Sequence, residues 1–247
     1  MSSQDLDISE QAISKTVEAG IKSQLDEAES LRVEIHTNPL NLAQGQIDTA
    51  TLEGKGLVVK GDLRTEAIAL ETDAININLL KAAFGNIELE QPTDAKACVT
   101  LNAEDIEHAF NSGYVKQKLR GQKITLPSGE TVTTDASNVR FTLPAADTFH
   151  IEADIMLIEK VEKHHVAFTA KPQLIEGGHQ LTLVDVCYES DRGDLDLAQS
   201  LIRSTEDLLD LRNFELGGMK LQFEQLNIES GKLIVTAKAN IQSLDYA

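Results

Sequence analysis

The sequence predicts an α+β fold: a single domain in which a strongly curved antiparallel sheet is wrapped against long amphipathic helices. Two observations carry the prediction. Apolar residues alternate with polar ones in many short segments, the period of half-buried strands, and three longer segments repeat apolar residues at helical spacing. The segments do not follow the regular strand–helix–strand order of a parallel nucleotide-binding sheet, so antiparallel pairing is expected.

From Ile8 to Ala28, the residues Ile13, Val17, Ile21 and Leu25 recur at every fourth position and make one apolar helix face, with Asp7 and Glu10 suited to its first turn. Residues 1–7 precede it as a flexible N-terminus. Leu31, Val33 and Ile35 then alternate with Arg32, Glu34 and His36, and Asn38-Pro39 ends the strand. Alternation returns at Arg64 to Thr72 through Ile68 and Leu70, at Asp73 to Leu79 through Ile75 and Ile77, and at Ala95, Ala97, Val99 and Leu101. Ala103 to Arg120 reads as a helix with Ile106, Ala109, Phe110 and Val115 inward, kinked or split at Ser112-Gly113.

The longest alternation sets Phe149, Ile151, Ala153, Ile155 and Leu157 against His150, Glu152 and Asp154. Leu181 to Tyr188 adds a strand, and Asp194 to Leu211 a third helix with Ala198, Leu201, Ile202, Leu208 and Leu209 on one face. Met219, Leu221 and Phe223, then Leu233, Val235, Ala237, Ala239 and Ile241, form a closing hairpin around Glu229-Ser230-Gly231-Lys232. Each strand has one apolar face that needs cover. The first and last helices are therefore expected on the concave side of one continuous sheet. No Pro-, Ser- or Gly-rich linker divides residues 8–247, which read as one domain.

A chain of 247 residues buries a core without disulfides, so Cys98 and Cys187 read as free, buried thiols. Lys and Arg number 22 against 40 Asp and Glu, and the formal net charge of -18 repels a nucleic-acid backbone. With 7 Phe, 3 Tyr and no Trp, few rings are available to stack on bases, and no nucleic-acid partner is expected. Met1-Ser2-Ser3-Gln4-Asp5 has neither a basic n-region nor an apolar h-region, and no apolar run is long enough to span a bilayer. The expected location is cytoplasmic, peripheral to a membrane.

The common hydrolase, dinucleotide, nucleotide-triphosphate and zinc-protease motifs are absent, so no catalytic residue, metal or cofactor is expected. Adjacent His164 and His165 point to opposite faces of a strand and do not share an ion. Asp191, Asp194 and Asp196 suit helix capping better than a calcium loop. One segment runs against the global charge: Lys116, Lys118, Arg120 and Lys123, beside Tyr114, Val115 and Leu119. It has two readings. An anionic headgroup or membrane surface docks there, or cations collect at a helix C-terminus because the macrodipole favours them.

The ordered series Asn38-Pro39-Leu40-Asn41-Leu42, Gly45-Gln46-Ile47, Gly56-Leu57, Leu63-Arg64, Ile75 to Leu79, Phe84-Gly85-Asn86-Ile87-Glu88-Leu89, Pro92-Thr93-Asp94-Ala95 and Leu101 to Ile106 resembles the LmeA-like phospholipid-binding domain family. The likeness is closest from Ile8 to Lys118. It departs from the pattern at Asn102-Ala103, where Thr-Glu is expected to open the helix, and in lacking the export signal of the best-known members. The resemblance implies a tubular lipid-binding fold, with a long helix against a curved sheet and acyl chains in the apolar tube between them, and it implies no catalytic residues. On that implication the partner is a phospholipid or other fatty-acyl lipid. Phe141, Ile151, Ile155, Leu157 and Val235 are candidate tail-lining residues, and Lys116, Lys118, Arg120 and Lys123 are candidates for headgroup or membrane contact. The expected function is non-enzymatic lipid carriage, transfer or sensing; the alternatives are a dry-core scaffold for protein partners at a membrane and an unrecognised hydrolase.

Overall fold

A computed structural model describes residues 3–77, 89–189, 192–208, 215–216, 219–229 and 231–241. Most of these residues are in strands, and all strand pairs are antiparallel. A seven-stranded sheet has the order β1 (Ser30–His36), β3 (Thr49–Val59), β4 (Leu63–Thr72), β6 (Thr93–Asn102), β14 (Lys232–Ile241), β13 (Met219–Glu229) and β12 (Glu215–Leu216). A five-stranded sheet runs β11 (Gln180–Tyr188), β10 (Glu162–Ile175), β9 (Thr148–Leu157), β8 (Thr131–Ala145) and β7 (Gln122–Thr125). Strands β2 (Gln46–Ile47) and β5 (Ile75–Asn76) form a third, two-stranded sheet. Beside the short α2 (Pro39–Ala43), the described helices are α1 (Ser3–Lys22), α3 (Ala103–Asn111), α4 (Gly113–Leu119) and α5 (Arg192–Leu208).

This corrects the expectation of one continuous sheet wrapped against long helices. The sheet surface is curled into a half-barrel, but its hydrogen bonding is divided, and helices are a minor part of it. Helix α1 ends at Lys22, short of Ala28, because the following segment gives its backbone to β3: Asp26 N–H donates to the Val58 carbonyl at 2.9 Å and Glu29 N–H to that of Lys55 at 3.1 Å. The Ala103 to Arg120 segment divides at Ser112, whose Oγ accepts from Val115 N–H at 3.2 Å and caps α4. The end of the expected third helix at 209–211, Leu79, Asp191 and Ser230 lie outside the described residues.

Helices α1 and α3 seal open sheet edges. Edge strand β1 donates Val33 N–H to Glu18, Ile35 N–H to Ser14 and Thr37 N–H to Glu10, at 3.2, 3.0 and 2.8 Å. Acceptors four residues apart on a helix rise about 6 Å and match alternate strand amides, which repeat at about 6.6 Å. Below them Ile13, Val17 and Ile21, with Ala50 and Leu52, pack against the buried cluster of Val33, Ile35 and Ile47. Strand β8 loses its β7 partner beyond Thr134, and there the Asn111 side chain on α3 pairs both with the Val139 carbonyl at 2.6 Å and with its N–H at 3.2 Å. Glu107 accepts from Phe141 N–H at 2.9 Å. Both edges are thus closed to pairing with another chain.

The two large sheets meet at β13. Asp147 N–H, in the β8–β9 turn, donates to the Ile228 carbonyl at 2.9 Å, and Gln222 Nε2 donates to that of Gly177 at 2.7 Å. On the opposite side α3 bridges β4 and β8 through Arg64, which donates to both carboxylate oxygens of buried Asp105 at 3.0 and 3.1 Å, to Glu66 at 3.1 Å and to Glu29 at 2.8 Å. Asp105 also accepts from Asn102 N–H at 3.3 Å, capping α3. Asp105→Ala is expected to lower stability by about 2–3 kcal/mol in urea unfolding, because a charged, mostly buried hydrogen-bond partner and a helix cap disappear together.

The same network predicts an acid limb. Hydrogen bonding from Arg64, aided by Asn102 and the charge of Lys232, holds the Glu66 carboxyl below its ordinary value of 4.5 despite partial burial. A carboxyl depressed in the fold contributes stability above its unfolded pKa that is lost as pH falls through the folded one. Stability should therefore decline below about pH 4.5, and the decline should be shallower in Glu66→Gln, as read from unfolding midpoints across pH.

Candidate functional site

The apolar faces of the strands fall into register across the seven-stranded sheet. Leu52 lies opposite Leu70, Ile68 opposite Val99, Val99 opposite Val235 and Val235 opposite Leu226, while Leu101, Leu233 and Ile228 form the next row. Helix α1 covers the β1 end of this face. At the other end of the strands Ala95, Ala239 and Ile241 cluster with Leu89, Ile75 and Ile77. Between these packed ends, Ile68, Val99, Leu101, Leu226, Leu233 and Val235 are only half-buried. These six adjacent branched aliphatic side chains make an incompletely covered apolar face, called the trough below.

The five-stranded sheet differs along its length. At one end α5 seats Leu197 and Ala198 on Ile124, Val132, Ile155, Leu157 and Val166 in a closed cluster. Beyond it, five rings run in sequence from α3 to β11: Phe110, Phe141, Phe149, Phe168 and Tyr188, with successive centroids 6.3, 5.6, 6.1 and 6.3 Å apart. Ile151 lies opposite both Phe141 and Phe168, inside this row. The five candidate lining residues thus divide. Ile155 and Leu157 belong to the closed α5 cluster, Phe141 and Ile151 to the aromatic row, and Val235 to the trough of the other sheet.

Sequence periodicity missed Leu226 and Ile228. An irregularity between Phe223 and Gln225 shifts the register of β13, so the apolar phase changes in mid-strand and Glu224 turns out to pair with Lys238 and Lys96. Strand β8 changes phase in the same way near Asn138, whose φ is 51°, before Val139 and Phe141.

Lys116, Lys118, Arg120 and Lys123 are all exposed. Lys116 and Lys118 lie in the last turn of α4, Arg120 stands 3.7 Å from Asp135, and Lys123 is on β7. The fold adds a fifth cation: Lys60, in the β3–β4 turn, sits 4.4 Å above the exposed Tyr114 ring and donates to its hydroxyl at 3.3 Å, with Lys118 Nζ 5.9 Å from the ring centre. No local signal in the sequence connects Lys60 to this segment, because the contact exists only in space.

Two polar clefts flank α3. One, of about 590 Å³, is lined by Glu107, Asn111, Arg140, Glu152, Asp154 and His165 among others; the second, of about 400 Å³, by Asp62, Glu107, His108, Asn111 and Ser112. Asn138, then Lys163 and His165, hold the Asp154 carboxyl well below the usual carboxylate range. Ser137, Asp154 and His165 are aligned across β8, β9 and β10. The carboxylate stands between the hydroxyl and the imidazole, the wrong order for a histidine to take the serine proton. His164 lies opposite Ile155 and His165 opposite Asp154, on opposite faces of β10. Both cysteines are free, but Cys187 is exposed and Cys98 half-buried, because they occupy the strand faces turned away from the aromatic row and the trough.

The chain matches the family model described as LmeA-like phospholipid-binding over residues 6–238. It belongs to that family. The match extends well past Lys118, where the closest likeness ends, and takes in strands of both large sheets and α5. No curated protein and no solved structure matches the chain. The family is described by phospholipid binding and by no reaction, and among the described residues no helix is long and apolar enough to cross a membrane.

Proposed function

We propose that this protein is a non-enzymatic phospholipid carrier or sensor that holds acyl chains against the half-buried trough of Ile68, Val99, Leu101, Leu226, Leu233 and Val235 and the adjoining aromatic row. The incompletely covered apolar face carries this reading. Left in water, such a face forgoes about 25 cal/mol for each Å² it would otherwise bury, and a flexible acyl chain restores that term without demanding fixed geometry. Family membership supports phospholipid as the class of ligand. Saturable fluorescence enhancement of an acyl-labelled phospholipid, reversed by unlabelled phospholipid, is the expected result; no enhancement at any concentration contradicts the reading.

In this reading Lys60, Lys116, Lys118, Arg120 and Lys123 make the headgroup or membrane contact. A helix dipole favours Lys116 and Lys118 but has no hold on Lys60 or Lys123, which come from other elements. Each near-surface cation contributes about 1 kcal/mol toward an anionic bilayer. Changing Lys116, Lys118 and Lys123 together to Glu should abolish co-sedimentation with anionic vesicles and slow lipid transfer, without changing the lipid content of the purified protein or its circular dichroism. Wild-type association should weaken with salt, as the Debye length falls from about 10 Å at 0.1 M to about 3 Å at 1 M. Equal transfer by the charge-reversed variant would mean that these lysines do not meet the headgroup or membrane.

A further inference from the structure

We propose that the β9–β10 hairpin tip, Ile158 to Val161, is a wedge that inserts into the interfacial layer of a phospholipid bilayer. The inference rests on the lipid-binding reading above and names the place where the protein enters the membrane that supplies or receives the lipid. Val161 is 81 % exposed and Ile158 48 %. Val161 also holds a φ of 55°, in the left-handed region. In that region a β-branched side chain is strained, and the final residue of a short hairpin loop is ordinarily Gly or Asn. The packing of the fold does not account for this choice, since an 81 % exposed side chain has little to pack against.

Both charged side chains of the tip have partners, Glu159 by hydrogen bonds and Lys160 by an ion pair. Glu159 accepts from Thr133 N–H at 2.8 Å and from its hydroxyl at 2.5 Å, and Lys160 donates to Glu130 at 2.8 Å. Ile158 and Val161 thus stand exposed beside Glu159 and Lys160, whose side chains already have hydrogen-bond partners in the protein, which lowers the cost of entering a headgroup layer. Lys123 lies opposite Thr133, the residue that holds Glu159, so the tip adjoins the basic strip. In a chain of net charge -18, apolar side chains next to that strip fit a surface of acyl chains and phosphates better than a second copy of the same acidic protein.

The absence of tryptophan makes the test direct. Val161→Trp and, as a control, Leu40→Trp, at a position 75 % exposed on α2, each give a single tryptophan that is excited apart from the tyrosines at about 295 nm or longer wavelength, the red edge of tyrosine absorption. On adding vesicles of phosphatidylcholine with a minor share of phosphatidylglycerol, Val161→Trp emission should shift to the blue and be quenched by brominated acyl chains, while Leu40→Trp does neither. An unchanged Val161→Trp spectrum, or an equal response from both, overturns the proposal. Val161→Gly should raise Tm, because glycine accepts the positive φ, yet weaken vesicle association about tenfold, the loss of one buried valine. A raised Tm with undiminished association reduces the tip to a strained turn and overturns the wedge. Organic extraction of the same preparations keeps the two readings apart. Lipid retained without insertion removes only the wedge, and insertion by a protein that holds no lipid removes only the carrier.

Discussion

Val235→Trp is expected to expel lipid from the purified protein while leaving its Tm within a few degrees of wild type. Val235 sits at the centre of the half-buried trough, opposite Val99 on one side and Leu226 on the other. On the proposed reading an indole there lies along the trough and takes the volume of an acyl chain. Ile155→Trp supplies the contrast. Ile155 is 4 % exposed and packed in the cluster with Leu197 and Ala198. There an added ring overpacks a closed site and should cost about 1–3 kcal/mol, without a specific effect on lipid. Bound phosphorus per protein, measured beside thermal unfolding, separates the two variants. A lowered Tm with lipid unchanged in Val235→Trp would mean that the trough is a closed core.

Gly178→Ala is expected to be the most damaging single methyl addition in the described structure. Gly178 is buried in the β10–β11 turn with φ 87°, and a Cβ built there falls on the backbone carbonyl of Phe223 in β13. Backbone cannot swing aside as a side chain can, so the methyl must separate the two large sheets at their junction. A loss of about 3 kcal/mol or more is expected. Its neighbour calibrates the effect: Gly177 has φ 67° and open space around its Cβ position, so Gly177→Ala should show only the left-handed backbone penalty of about 1–2 kcal/mol. Equal unfolding midpoints for the two variants would mean that close approach at β13 does not hold the sheets together.

Much of the fold is legible in the sequence because strand alternation is a local signal. The series Phe149 to Leu157 and Leu233 to Ile241 fall in strands whose apolar phases are the ones that periodicity predicts. What the sequence hides is of two kinds. Strand irregularities change phase in mid-element, so Leu226 and Ile228 drop out of a pattern that begins at Met219. Division into sheets is a matter of long-range pairing: nothing local indicates that β6 pairs with β14 and β4 while β8 to β11 form a sheet of their own. The candidate site suffers from the second problem most. Ile155 and Val235 carry the same alternation signal, yet one is buried under α5 and the other is only half-buried, with no cover from a described helix. Likewise the segment Lys116 to Lys123 is visible as a charge run, while Lys60 joins it only through Tyr114.

The central claim is that the trough holds a lipid, and native mass spectrometry of the protein as purified from cells tests it most directly. The account predicts a population heavier than the polypeptide by the mass of a phospholipid, with the same species recovered by organic extraction and depleted in Val235→Trp. A bare polypeptide mass under gentle ionisation, together with an extract free of phospholipid and fatty acid, would contradict it.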